Sequence, residues 1–298
     1  GVVNVITRRD YAGMRVDASA QSSDKFDYSQ YATSVTLGAS SEKARANVSI
    51  SYQTQSRLGN EDREFTRGHQ TQIIGYPASF ADVMARPDPA CEDDPRGAIT
   101  TDSTGSLCSI DARGHGNLSD PRNRVSGLGY AEYDLSDHTY AFAEVGMAAM
   151  RNQTDAPPSF PALQPTSVPS DHRDNPFGTT LRYFGSPLGD KYGNTKILAS
   201  DETIRTALGL AGDFEDAAED TVAESWEWQL SGTWGRSSYR LLVPATLKGP
   251  LQDALNSCGP GSDLTGCFNP FASANDGTGT PNSANVINRI RGDEFVVA

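Results

Sequence analysis

From Lys43 to Gln55 polar and apolar residues alternate, and no charge strays onto the apolar face. Ala44, Ala46, Val48, Ile50 and Tyr52 share one parity; Lys43, Arg45, Asn47, Ser49, Ser51, Gln53 and Gln55 share the other. Successive side chains of a strand point to opposite faces, so the run reads as a strand with one apolar and one polar face. The same alternation recurs from Met14 to Gln21, from Gln30 to Ala39, from Arg124 to Leu135, from Tyr140 to Ala149, from Ile204 to Phe214 and from Trp226 to Trp234. Leu128, Tyr130, Tyr140 and Phe142 interrupt the polar faces of two of these runs. By this test the chain holds about seven strands.

Most runs reach ~9–11 residues or slightly more, the length that crosses a bilayer at a tilt, whereas strands of soluble proteins average ~5–6. Length and alternation together predict an all-β fold: an antiparallel transmembrane β-barrel, of which these strands are one part. A soluble antiparallel sheet with one buried face is the competing reading. Mean hydropathy is -0.50 and apolar residues make up 37%. That low value is compatible with membrane strands, because only alternate residues would meet lipid.

The connections are asymmetric. Ser40-Ser41-Glu42 and Ser136-Asp137-His138 make tight turns, while long polar stretches run from about residue 57 to 123, from about 152 to 201, and from 243 onward. Short turns at one end and long loops at the other are the pattern of outer-membrane barrels. The link from Glu215 to Ser225 is longer than the other two turns and fits the pattern least well. Trp226 and Trp228 lie at the short-turn end, and Tyr28, Tyr31 and Tyr52 near the opposite one, where aromatic belts or ordinary packing would both place them.

Cys91 and Cys108 bracket one polar, Gly- and Asp-rich stretch, and Cys258 and Cys267 another. Neither spacing suits a metal site, so two local disulfides in an oxidising compartment are expected, with four free thiols as the alternative. The net charge of -13 argues against a nucleic-acid partner, which would require a basic stripe. No catalytic triad signature, phosphate loop or zinc motif is present, and His69, His115, His138 and His172 lack ligand spacing. Neither an enzyme, a cofactor nor a metal is expected. Arg291-Gly292-Asp293 reads as a chance tripeptide and Glu92-Asp93-Asp94 as a solvated acidic loop. Leu247, Leu251 and Leu255 predict a short amphipathic helix over 247–256 that packs on its own loop.

Gly1-Val2-Val3-Asn4-Val5-Ile6-Thr7-Arg8-Arg9, followed by Asp10-Tyr11-Ala12-Gly13, resembles the end of the plug domain and the entry to the first barrel strand of TonB-dependent outer-membrane receptors. Asn175-Pro176-Phe177-Gly178 and Cys267-Phe268-Asn269-Pro270-Phe271 resemble motifs in external loops of some members. The resemblance implies a plug end at 1–10 and the N-terminal part of an incomplete barrel at 11–298. Both termini read as cut, with a signal peptide, an energy-coupling box and most of the plug expected upstream. A complete barrel of this family has about 22 strands around a plugged lumen, so the part alone is expected not to insert stably, its edges being unpaired in lipid.

The resemblance further implies location in the outer membrane of a Gram-negative bacterium, in contact with its lipid. It implies active uptake of a scarce nutrient of the siderophore, cobalamin, saccharide or peptide class, driven by a TonB-type inner-membrane energy-coupling protein. Arg173, Asn175, Phe177, Arg182, Tyr183 and Phe184 are the candidate substrate-binding residues, since arginines beside aromatics suit polar ligands. Packing of Phe177 and Phe184 against the barrel mouth is the alternative. A passive porin and a secreted or surface β-sheet adhesin are the rival functions.

Overall fold

The computed structural model describes residues 11–66, 72–74, 78–93, 97–111, 115–156, 166–189, 195–214 and 226–297. The plug-end expectation at 1–10, and the link at 215–225, lie outside them. The fold is all-β, built on one long antiparallel sheet. Its strands are β1 (Gly13–Ser22), β2 (Ser29–Ser40), β3 (Ala44–Gln55), β4 (Arg122–Ser136), β5 (Thr139–Ala156), β6 (Thr195–Asp213), β7 (Glu227–Thr246) and β8 (Arg291–Val297). They pair in chain order as an open eight-stranded meander with β1 and β8 at its edges. No helix among the described residues is long and apolar enough to cross a membrane, which has no bearing on strands.

The sheet has eight strands where seven were expected. The added strand, β8, pairs with β7 from Arg240↔Val297 to Thr246↔Arg291. Its seven residues, RGDEFVV, do not alternate, so periodicity passes over them. The strands are also longer than expected. β5, β6 and β7 run to 18, 19 and 20 residues, continuing past the alternating stretch toward the long loops.

Register carries the alternation across the sheet. Residues directly opposite in an antiparallel pair share a face. Met14 pairs with Leu37, Leu37 with Val48, Val48 with Gly129, Gly129 with Val145, Val145 with Thr206 and Thr206 with Trp234. Two steps along, Val16, Val35, Ile50, Gly127, Met147 and Ile204 form the next row. On the other side, Ala143, Leu208 and Gly232 are followed by Ala141, Leu210 and Leu230. The apolar parities thus merge into one band, and it is bare: Leu208 is 65% exposed, Leu230 70% and Trp234 56%.

The opposite face is polar and laced together between strands. Thr36 bonds Ser49 at 3.0 Å, and Ser51 bonds Ser126 at 2.7 Å. Arg205 pairs with Glu144 at 3.1 Å. At the β2–β3 turn the Ala44 amide donates to Ser41 Oγ at 3.1 Å, the side-chain-to-backbone bond that favours serine in turns. Asp27 of the β1–β2 turn is gripped by the guanidinium of Arg63 from the first long loop, at 2.5 and 3.0 Å, which holds its carboxyl well below the usual carboxylate range.

Apart from Tyr130, Ala207 and Ala211, the buried apolar residues lie in the three long loops. The helix α1 (Lys248–Asn256), α2 (Ser273–Asp276) and α3 (Ala284–Ile290) all belong to the third loop. The expected amphipathic helix is α1, which buries Leu251, Ala254 and Leu255.

Candidate functional site

The three loops fold together into a cap with its own core. The first supplies Ala78–Ala81, whose extended backbone pairs with Leu181–Gly185 of the second, Phe80 opposite Tyr183. That strand alternates: Leu181, Tyr183 and Gly185 point inward, and Arg182 and Phe184 outward. The third loop covers the inward face with Leu251, Leu255, Phe268, Phe271, Val286 and Ile290, all joined to Phe80, Val168, Leu181 and Tyr183 in one hydrophobic cluster.

Polar groups lock the loops to one another. Gln252 of α1 binds the Ser167 backbone twice, accepting from its amide at 2.8 Å and donating to its carbonyl at 2.8 Å. Asp88, 2% exposed, accepts the Ala272 amide at 3.0 Å. Asp174 accepts the Thr280 amide and hydroxyl at 3.0 and 3.1 Å. Both disulfides are formed, Cys91–Cys108 and Cys258–Cys267.

The two Asn-Pro-Phe motifs have one shared architecture. In each, the asparagine Oδ1 accepts the phenylalanine amide at 2.9 Å, an Asx turn that needs no N–H from the intervening proline. Asn175 Nδ2 also donates to the carbonyls of Pro169 and Thr179, and Asn269 Nδ2 to Ser273 Oγ and the Thr280 carbonyl. The turns aim Phe177 and Phe271 at Phe80. Its ring stacks on Phe271 at 4.4 Å and lies 6.4 Å from Phe177 and 5.8 Å from Tyr183.

The six candidate binding residues divide accordingly. Asn175 is a turn brace and Tyr183 a core residue, its phenol pushed well above the ordinary range by burial. Phe177 packs on the core and carries the Arg86 guanidinium 4.9 Å from its ring centre. Arg173 faces solvent, with its amide bonded to the Cys258 carbonyl at 2.9 Å. Arg182 is exposed and lies 5.1 Å from the Phe184 ring centre. The outward residues available to a ligand are therefore Arg173, Arg182 and Phe184.

No protein-family model, curated protein or solved structure matches this chain.

His172 and the two sulfurs of Cys258–Cys267 lie within 4.8 Å of one another, but a disulfide offers no thiolate to a metal. The His172 ring is occupied otherwise: Nε2 donates to the Phe268 carbonyl at 3.1 Å, and Nδ1 accepts the Asp174 amide at 3.2 Å. Burial lowers its pKa, so the ring stays neutral as the hydrogen bonds require.

A second constellation escapes sequence reasoning. On the polar face near the short turns, Arg45 reaches Glu132 at 2.5 Å and Asp134 at 2.9 Å. The Tyr130 hydroxyl also donates to the nearly buried Glu132. Alongside lies a recess of about 670 Å³ lined by Lys43, Arg45, Asp134, His138, Asp213 and Gln229, in which His138 meets Asp213 at 2.7 Å. The signal was opposite charge in register between β3 and β4, which can be seen only once the two strands are aligned across the intervening loop.

Proposed function

We propose that this chain is part of an outer-membrane transport receptor of the TonB-dependent kind, its long sheet a segment of a transmembrane barrel wall and its cap the external face that meets the nutrient. One observation carries the reading: an exposed apolar band crosses the sheet from β1 to β7, its limits stepping along the strands from one to the next. On β5 it runs from Thr139, level with Gly212 and Trp228, to Ala149, level with Val125. Along β5 that distance, Thr139 to Ala149, is ~34 Å at ~3.4 Å per residue. A tilt of ~40–45° reduces it to ~25 Å, the height of the lipid-facing band of outer-membrane barrels. Further support comes from the tight turns at one end, the folded cap at the other, and a polar face whose ion pairs suit a hydrated, plug-filled lumen.

Capture of substrate falls to the cap, and energy to an inner-membrane partner of the TonB type. A siderophore, cobalamin, saccharide or peptide would meet Arg173, Arg182 and Phe184 first. The arginines supply donors for carboxylate or hydroxyl groups, and Phe184 an apolar surface.

The test is site-directed spin labelling of the full-length protein in bilayer discs. Labels at Val48, Val145 and Leu208 are expected to be relaxed by oxygen dissolved in lipid, and labels at Ser49, Ser126 and Thr203 by a water-soluble nickel chelate. Preference of the first set for the chelate would sink the membrane reading. Uptake that persists after loss of the energy-coupling partner would favour the passive porin.

A further inference from the structure

At the loop end the outward face changes character within one or two residues. On β5, Ala149 is followed on the same face by Arg151; on β6, Ile204 by Glu202; on β7, Trp234 by Arg236 and then, past Ser238, by Arg240. Arg151 and Arg240 both pair with Ser200, so they flank it in one row, two strand spacings or ~10 Å apart. All three arginines are exposed. Among the described residues none is within ion-pairing distance of a carboxylate. Glu202 stands opposite Ser238, diagonal to Arg236 and Arg240.

A groove of about 370 Å³ opens here, with Val125, Met147, Ala149 and Ile204 along its apolar side, Arg236 and Arg240 along the other, and Glu202, Thr203 and Ser238 also in its lining. Three exposed arginines with no ion-pair partner among the described residues, in a chain of net charge -13, run against its overall sign. They also stand at the upper limit of the apolar band, where a bilayer would present head groups while its acyl chains face the band. Guanidinium groups bind phosphate oxygens in pairs of parallel hydrogen bonds.

We infer that this groove seats a phosphate-bearing lipid of the outer leaflet, its acyl chains on Val125, Met147 and Ile204 and its phosphate on Arg236 and Arg240, with Arg151 beside them. This rests on the membrane reading above. The full-length protein, wild type and R236Q/R240Q, is inserted into discs of phosphatidylcholine containing a minor fraction of lipid A, a bisphosphorylated acylated disaccharide, and retained lipid is counted by native mass spectrometry. Wild type is expected to enrich lipid A over phosphatidylcholine. The double variant is expected to lose about thirtyfold of that preference, near fivefold for each arginine at an anionic head-group layer. Circular dichroism and heat stability check that the variant still folds.

Equal enrichment by both proteins overturns the site, as does displacement of lipid A by inorganic phosphate at matched concentration, which would mean that free anion alone is recognised. Failure of both proteins to insert would instead overturn the membrane reading, and the site with it.

Discussion

Replacing Phe80 with alanine tests whether the three loops form one cooperative unit. Phe80 is fully buried, stacked on Phe271 at 4.4 Å and in contact with the rings of Tyr183 and Phe177. It comes from the first loop, Tyr183 and Phe177 from the second, and Phe271 from the third, so the cavity left by the substitution would touch all three. A buried Phe→Ala change costs about 3–5 kcal/mol, including the cavity. At about 4 kcal/mol the opening equilibrium of the cap shifts by roughly a thousandfold. Hydrogen exchange followed by mass spectrometry on the full-length protein reads this directly. Peptides from 78–93, 166–189 and 248–290 should speed up together by up to that factor, while peptides from 125–133 and 141–149 keep their wild-type rates. Acceleration confined to 78–93 would refute cooperativity between loops. Equal acceleration in the sheet would refute the independence of the cap. F80L should cost far less, because most of the volume remains.

Three further outcomes follow from the same geometry. His172 has a folded pKa below its unfolded value of about 6.5, so the unfolded chain binds the extra proton; cap protection should be complete above that pH and fall as pH drops from it toward the lowered value, with H172Q abolishing the slope in hydrogen exchange. Replacing both Cys91 and Cys108 by serine should lower cap stability by about 3 kcal/mol, the chain-entropy effect of a closed loop of 17 residues, read by exchange or limited proteolysis of the cap. R45Q should cost about 1–3 kcal/mol by leaving the nearly buried Glu132 without its cation, and R45Q/E132Q should recover part of that loss in heat denaturation; an additive double variant would mean that the pair is not coupled.

The parts of this fold legible in the sequence are those set by local pattern. β1 to β7 announce themselves because period-two alternation survives wherever one face is apolar, and the two disulfides because each joins cysteines on either side of a short polar stretch. Strand length was not legible beyond the band. β7 continues through Leu241-Leu242-Val243, where alternation stops but pairing with β6 and β8 does not. The cap was hidden for a different reason: Ala78–Ala81 and Leu181–Gly185 are four and five residues long, and each depends on the other across a hundred residues. The Asn-Pro-Phe motifs were visible, and so was the Arg-aromatic stretch at 182–184. Yet the inward turn of Tyr183 depends on Phe80, and nothing near Tyr183 in sequence encodes Phe80. Gly185 follows from that inward turn, since a Cβ there would meet the Tyr183 hydroxyl at 2.5 Å and its ring at 2.6 Å.

The distribution of burial bears on how the molecule works. A water-soluble antiparallel sheet hides one face against a second layer. Here the apolar face of the sheet is bare, and its polar face buries little beyond Tyr130, Glu132, Ala207 and Ala211. The cap, by contrast, is a small soluble domain in miniature, with aromatic packing, a paired sheet, internal clamps such as Gln252 on Ser167, and two covalent crosslinks. The sheet thus leaves one apolar and one polar face to its surroundings, whereas the cap carries its stability within itself. Under the proposed reading this division has a mechanical consequence. A cap whose three loops share one core can open only by shifting as a body or by losing that core. Recognition at Arg173, Arg182 and Phe184 then occurs on a preformed surface, and whatever moves to let a nutrient pass must lie on the lumen side, where the contacts of Arg45, Glu132 and Asp134 are polar and exchangeable.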